Sequence, residues 1–265
     1  MILYGPALSD PEMVLVLMRP RYWFGVVSNS QRGRGKVHMS IFTLVGGVLL
    51  NVAIFGGLLF IPAGTLGWWR AWVFIGVVLG GAVASTVSVF RVNKDLLAER
   101  FKPPVQKGQP LADKIIVVLL IAGFVSVIVC IPLDVFRWQL MATPGTLVSS
   151  LGLVLFVVGW WIMTLALREN AFAAPVVKHQ ADRQHTVIES GVYGVVRHPM
   201  YAGAVPLLVG MSLWLESYAA ALLATVPIGT LVVRILVEEQ FLRRALAGYN
   251  AYTERVRYRL IPFVW

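Results

Sequence analysis

Residues 190–203 read SGVYGVVRHPMYAG and place two ionisable side chains, Arg197 and His198, directly before a proline and a long apolar run. Arg-His-Pro is a poor capping sequence, because helix N-termini favour Ser, Thr, Asp or Asn at the capping position. We therefore expect these side chains to serve something other than the start of a helix. A second charged pair, Arg234 and Glu238, is spaced by one helical turn in a later apolar run. These two residues either pair with each other or bind ligands.

The composition is that of a membrane protein. The chain has 265 residues, of which 58% are hydrophobic and 14% are charged, and its mean hydropathy is +0.75. Soluble domains carry about a quarter charged residues. The net charge of +10 is explained by basic loops that face anionic lipid, so we expect lipid and not nucleic acid as a partner. Cys130 is the only cysteine, and we predict no metal site.

Apolar runs of about 20 residues mark the membrane spans. Four such runs lie at residues 41–61, 68–90, 115–133 and 145–167. The apolar residues 201–237 are interrupted at Glu216 and Ser217, and the part before this break is short for a full crossing. We interpret residues 201–237 as a tight helical hairpin with kinks near Pro206 and Pro227. The predicted fold class is all-α, a polytopic transmembrane helix bundle of about four spans plus a C-terminal helical hairpin.

Three glycine pairs lie inside the predicted spans, at residues 46–47, 56–57 and 80–81. Small residues let membrane helices approach each other closely. We therefore expect these pairs to lie at contacts between helices.

The basic residues predict the orientation of the chain. Arg70 and Arg137 lie near the short loops after the first and third spans, and the other Lys and Arg residues lie in four regions that alternating spans place on one side. The positive-inside rule makes that side cytoplasmic. We expect an integral protein of the inner or plasma membrane, with its N-terminus and catalytic region in the cytoplasm. The predicted regions are an N-terminal basic arm (1–40), a four-span region (41–167) and a catalytic region (168–265).

Two polar blocks flank the hairpin. One block covers residues 168–198, and the other begins at Arg234 and reads RILVEEQFLRRALAGYNAYTERVRYRLIPFVW. If the hairpin closes, the two blocks meet on the cytoplasmic face. Polar backbone near membrane depth is tolerated where it lines a cavity inside the protein. The sequence therefore predicts a cytosolic cofactor pocket at the C-terminal end of the chain.

The ordered motifs HTVIESGVYGVVRHPMYAG, RILVEE, GYNAY and RLIPFVW resemble the isoprenylcysteine carboxyl methyltransferase and phospholipid methyltransferase superfamily. The resemblance covers roughly residues 168–265 and implies an integral membrane methyltransferase that uses S-adenosylmethionine. It makes Arg234 the substrate-contacting arginine, and with Glu238 the predicted catalytic pair. The cofactor-contacting positions that it implies are Lys178, His185, Thr186, Val187, Ile188, Tyr193, His198, Pro199, Met200, Tyr201 and Glu238. Lys178 stands where the prenylcysteine enzymes have glutamine.

The residue types also suit this cofactor chemically. Glu238 is able to accept a hydrogen bond from a ribose or amino group, and Tyr193 and Tyr201 are able to enclose an adenine. Methyl transfer is an in-line displacement, so positioning supplies most of the catalysis. The planar fork of Arg234 suits a carboxylate on the acceptor. A prenylated cysteine carboxylate, a phospholipid amine and a small thiol remain open as acceptors, and we favour a lipophilic acceptor that enters from the bilayer.

Two other functions compete with methyl transfer. Membrane sterol reductases have a similar C-terminal topology and a related Arg-His motif but bind a nicotinamide cofactor. They typically have Asn-Tyr after that motif and an acidic residue after the following Gly. This chain has Met200 before Tyr201, Ala204 after Gly203, and an added acidic pair at 238–239, which favours methyl transfer. A non-catalytic scaffold or a transporter is less favoured, because transporters carry polar groups near mid-bilayer and often an internal repeat.

Overall fold

The structure, a computed structural model, describes residues 41–93, 96, 100, 103, 105, 109, 111–173 and 186–265. The predicted N-terminal arm lies outside these residues. The described part of the chain forms, in order, α1 Ile41–Ala63, α2 Trp69–Val92, α3 Leu111–Leu133, α4 Thr146–Glu169, α5 Pro199–Trp214, α6 Tyr218–Leu223, α7 Thr225–Ala245 and α8 Tyr249–Arg255. A π-helical turn, Asp134–Trp138, extends α3, and a 3₁₀ turn, Gly191–Gly194, precedes α5. Within these ranges there is no strand, so the all-α prediction is confirmed.

Five of the described helical segments are long and apolar enough to cross a membrane: Val45–Ala63, Trp69–Val92, Leu111–Trp138, Thr146–Glu169 and Tyr218–Ala245. The first four correspond to the predicted spans. α5 has 16 residues and is too short to be counted among the spans. The hairpin therefore has one short arm and one long arm, and the long arm continues past residue 237 to Ala245. Glu238 and Glu239 consequently lie on a helix and not in a loop.

The two prolines of the hairpin behave differently. α6 ends at Leu223 and α7 begins at Thr225, so the helical arm is divided close to Pro227, which lies in the first turn of α7. A proline is tolerated there because the amide hydrogen that it lacks has no partner in the first turn. α5 continues through Pro206.

The short helix α5 packs against α4 with the two backbones in contact. A Cβ atom added at Gly159 would lie 2.4 Å from the carbonyl oxygen of Gly203, and one added at Gly210 would lie 2.5 Å from that of Gly152. The pairing of 159 with 203 and of 152 with 210 means that the helices run antiparallel. Only glycine allows this approach, which the sequence analysis did not identify.

The glycine pairs that the sequence analysis identified contribute little to helix contacts. A Cβ added at Gly46 or Gly80 would meet no described atom within 4 Å, and at Gly56 it would meet Ile75 at an ordinary 3.8 Å. Gly81 makes a close approach, with the Trp160 ring 3.0 Å from an added Cβ. The expectation was wrong for Gly46, Gly56 and Gly80, because local composition does not show which face of a helix meets a neighbour.

Replacing Gly159 with alanine should lower the melting temperature of the detergent-solubilised protein. The new methyl group forces α4 and α5 apart, and overpacking of this kind costs about 1–3 kcal/mol. The matched control is Gly80→Ala, which adds the same atom to open space and should be neutral or slightly stabilising because alanine favours a helix. Equal melting temperatures for the two variants would contradict the close approach of α4 and α5.

The tip of the hairpin is held at the end of the bundle that carries the loops after α1 and α3. Arg70 at the start of α2 forms an ion pair with Glu216 at 3.2 Å, and Ser217 donates a hydrogen bond to Asp134 at 2.6 Å. The Trp214 indole donates to the carbonyl oxygen of Arg70 at 3.0 Å. The start of α5 and the C-terminal half of α7 therefore lie at the opposite end, where the predicted site residues are.

Candidate active site

Arg197 and His198 lie at the start of α5 and both turn towards α7. Pro199 occupies the first helical position, and the His198 side chain makes no capping hydrogen bond. Instead, Arg197 Nε donates to Glu239 Oε1 at 2.6 Å, and His198 Nε2 lies 3.3 Å from the same oxygen. All three side chains are buried. The two ionisable residues before the proline therefore connect the start of α5 to α7.

The same residues also hold the C-terminal segment. The backbone amides of Arg197 and His198 donate to the carbonyl oxygens of Tyr258 and Arg259, each at 2.9 Å. Arg197 Nη1 donates to two further carbonyl oxygens, those of Val256 and Arg257, at 2.8 Å. Arg259 Nε donates to the second oxygen of Glu239 at 3.1 Å. Glu239 is therefore the acceptor on which α5, α7 and the C-terminal segment converge, and we call these four side chains (Arg197, His198, Glu239, Arg259) the Glu239 cluster.

A second cluster joins α3, α5 and α7 around the Tyr201 hydroxyl. This hydroxyl donates to Glu238 Oε2 at 2.7 Å and accepts from Arg234 Nε at 2.9 Å. Arg234 Nη2 lies 3.6 Å from Asp113 Oδ1, on α3, with both side chains buried. The two residues predicted as a possible direct pair are thus linked through a tyrosine. We call Tyr201, Arg234, Glu238 and Asp113 the Tyr201 cluster.

Tyr193 lies in the 3₁₀ turn before α5 and is buried. Its backbone carbonyl oxygen accepts a hydrogen bond from the Tyr252 hydroxyl at 2.8 Å, which fixes the turn against α8. Burial raises the pKa of the Tyr193 phenol above its usual range; a hydrogen bond with Asn170 opposes that rise, Glu238 adds to it, and Arg100 opposes it. The phenol therefore stays protonated and acts as a neutral hydrogen-bonding group.

The structure brings most of the predicted site residues together. The start of α5 carries four of them in succession, His198, Pro199, Met200 and Tyr201, and the 3₁₀ turn before it carries Tyr193. Arg234 and Glu238 reach Tyr201 from α7. The segment of Thr186, Val187 and Ile188 is non-helical, and Val187 packs against a cluster of buried residues near α8. Lys178 and His185 lie outside the described residues.

Sequence reasoning missed Glu239, Asp113 and Arg100. Glu239 adjoins Glu238 in the sequence. The two side chains leave the helix in different directions, and only this difference gives them different partners. Asp113 precedes the third apolar run, yet the helix begins at Leu111 and Asp113 lies buried in its first turn. An acidic residue just before an apolar run is typical of a helix N-terminus, so the sequence could have predicted the start of this helix but not the contact of Asp113 with Arg234.

Comparison with known proteins identifies relatives of the C-terminal part of the chain. Residues 147–248 match the phospholipid methyltransferase family, and this range contains α4 to α7 and both catalytic candidates. Two rice proteins, from Oryza sativa subspecies indica and japonica, are each 31% identical over 121 residues and are each named a probable protein-S-isoprenylcysteine O-methyltransferase. Each match covers 44% of this chain and 62% of the relative, so the chain spans about three fifths of the length of the curated relatives it matches.

A solved structure shares the fold over most of the chain. It is the structure of the eukaryotic intramembrane Ras methyltransferase ICMT (isoprenylcysteine carboxyl methyltransferase), with a TM-score of 0.51 and 17% sequence identity. The superposition covers 84% of this chain and 77% of the solved chain. At this identity the likeness shows a common fold, and it includes the helices before residue 147.

Proposed function

We propose that the protein is an integral membrane methyltransferase, because residues 147–248 match the phospholipid methyltransferase family and this match agrees with the resemblance seen in the motifs. Its methyl donor is S-adenosylmethionine, and its acceptor is lipophilic or small: a prenylcysteine-type carboxylate, a lipid or a thiol. The observation that carries this proposal is the Tyr201 cluster, which places a carboxylate and an arginine from α7 on one hydroxyl of α5.

The described residues fit the donor chemically. S-adenosylmethionine supplies a methyl group on a positively charged sulfur, together with an amino acid group, a ribose and an adenine. Glu238 is half-buried and offers a carboxylate to a cationic or hydroxyl group. Tyr193 and Tyr201 offer aromatic faces, and the His198 ring stacks on the Tyr201 ring with centroids 5.6 Å apart. A charged group, neutral donors and an aromatic wall are what a site for such a ligand requires.

In the proposed mechanism these residues bind and orient, and they do not act as strong bases. The Tyr201 hydroxyl fixes Glu238 and Arg234 relative to each other, so both point from α7 into the same region. Glu238 holds the donor, and the planar guanidinium of Arg234 directs an anionic acceptor towards it. His198 is held by Glu239, which fixes its ring at the start of α5.

The lipid-facing surface of α7 supports an acceptor that enters from the bilayer. Val233 and Leu236 are exposed on the same helix as the buried Arg234. An apolar chain in the membrane can therefore contact α7 within one turn of the guanidinium. We also propose that the site end of the bundle faces the cytoplasm of an inner or plasma membrane, because the basic residues concentrate there.

Ligand binding to the purified protein tests this function directly. S-adenosylhomocysteine should raise the melting temperature, since a ligand that binds only the folded state adds about 2.7 kcal/mol of stability at a hundredfold excess over its dissociation constant. NADPH should leave the melting temperature unchanged. A shift with NADPH alone would establish the reductase alternative, and no shift with either ligand would favour a scaffold or a transporter.

A further inference from the structure

Arg100 reaches the candidate site from the segment between α2 and α3, outside the matched domain. Its Nη1 donates to the carbonyl oxygen of Ala173 at 3.1 Å and lies 3.8 Å from the sulfur of Met200, a predicted cofactor contact. A residue from the four-span region therefore takes part in a site that the motifs place entirely in the C-terminal region.

The described partners of Arg100 are neutral, unlike those of the other arginines at this site. Arg234 lies 3.6 Å from Asp113 and shares the Tyr201 hydroxyl with Glu238. Arg197 contacts Glu239 at 2.6 Å. A partly buried cation that donates to a carbonyl and a thioether retains both its charge and most of its donors for another group. Burial of such a charge is unfavourable without an anion, so a ligand that brings one gains binding energy.

Arg100 and Glu238 contact consecutive residues of α5. The guanidinium lies 3.8 Å from the Met200 sulfur, and the carboxylate of Glu238 accepts from the hydroxyl of the next residue, Tyr201. An α-amino acid group carries the complementary pair of charges, an ammonium and a carboxylate, on one carbon atom. A carboxylate near Arg100 and an ammonium near Glu238 would satisfy both side chains at once. A simple anion would satisfy only Arg100.

We propose that Arg100 binds the α-carboxylate of the methionine part of the methyl donor, with Glu238 receiving the ammonium group. This inference rests on the proposed function and adds a specificity-determining residue to it. Arg100 lies outside residues 147–248, so the family domain does not supply this contact. Recognition of the amino acid group would make the site reject adenosine ligands that lack the carboxylate.

The test compares two ligands on three proteins by isothermal titration. The ligands are S-adenosylhomocysteine and its decarboxylated analogue, which keeps the amine. The proteins are the wild type, Arg100→Gln, and Arg91→Gln as a control that removes an exposed arginine from the last turn of α2. Wild type and Arg91→Gln should bind S-adenosylhomocysteine about 10- to 100-fold more tightly than the analogue. In Arg100→Gln this ratio should fall to near one, with the affinity for the analogue retained.

The ratio of the two ligand affinities distinguishes recognition of the carboxylate from a structural role of Arg100, because a distorted site would weaken the binding of both ligands equally. If Arg100→Gln fails to fold, Arg100→Lys keeps the charge but loses the planar fork, and its ratio should be intermediate. An unchanged ratio of the two ligand affinities in a folded variant overturns the assignment of Arg100. A raised KM for an acidic acceptor with unchanged donor affinity also overturns it, because Arg100 would then bind the acceptor and not the donor. A wild type that binds neither ligand overturns the proposed function itself.

Discussion

Replacement of Glu239 with alanine is expected to lower the free energy of unfolding by about 3–5 kcal/mol, which is the range for a buried ion pair that loses one partner. Glu239 is 4% exposed and accepts from Arg197 at 2.6 Å and from Arg259 at 3.1 Å. Without the carboxylate, the buried guanidinium of Arg197 has backbone carbonyl oxygens but no opposite charge. The C-terminal segment should then detach first from the start of α5.

Thermal unfolding in detergent measures this loss, and limited proteolysis shows whether the C-terminal segment becomes accessible. The control is Glu254→Ala, which removes an exposed carboxylate on α8 and should change stability by no more than about 0.5 kcal/mol. If Glu239→Ala unfolds at the same temperature as the control, the Glu239 cluster does not hold the segment.

Replacement of Glu238 with glutamine should instead weaken binding of S-adenosylhomocysteine by about 1.5–3 kcal/mol, because a charge-assisted hydrogen bond to the ligand is lost. Stability without ligand should change less than in Glu239→Ala, since Glu238 is only half-buried and its described hydrogen bond is to the neutral Tyr201 hydroxyl. Isothermal titration measures the affinity, and Glu254→Gln is the matched control.

A companion variant, Arg234→Lys, distinguishes the two proposed roles on this turn of α7, which are donor binding by Glu238 and acceptor binding by Arg234. It keeps the charge but loses the planar fork, so donor affinity should stay near that of the wild type while turnover with a carboxylate acceptor falls. Equal and unaltered donor affinities in both variants would remove Glu238 from the donor site. Loss of stability in both, with no selective effect on a ligand, would show that the Tyr201 cluster is structural.

The motifs predicted which parts of the chain meet, but not which atoms. Residues 190–203 and residues 234–238 do come together, since Tyr201 contacts both Arg234 and Glu238. The ligand-binding roles that the motifs imply for these residues stay predictions. The hydrophobic runs placed the four spans and the hairpin because the length of a membrane helix is set by bilayer thickness. The end of α7 was misjudged, since polar residues beyond 237 continue the helix once it has left the apolar run.

Asp113 and Arg100 show why the rest of the site was not predictable. Neither belongs to a motif, and both reach the site from segments before residue 147, through contacts between residues far apart in the chain. A charged residue near a span is equally compatible with a solvated loop. Only the packing of α3 against α7 makes Asp113 a buried neighbour of Arg234.

The sequence by itself determined that this is a helical membrane protein and where its spans lie, and it predicted that the site residues are concentrated after residue 168. These properties follow from composition and from short motifs, which are local. The tertiary structure alone decided that Glu238 contacts Tyr201 while Glu239 contacts Arg197, because adjacent residues on a helix point in different directions. It also decided that α4 and α5 approach each other closely at Gly159 and Gly203, whereas Gly46, Gly56 and Gly80 make no close approach. Which faces of the helices meet depends on all the helices packing together, and no single segment specifies that.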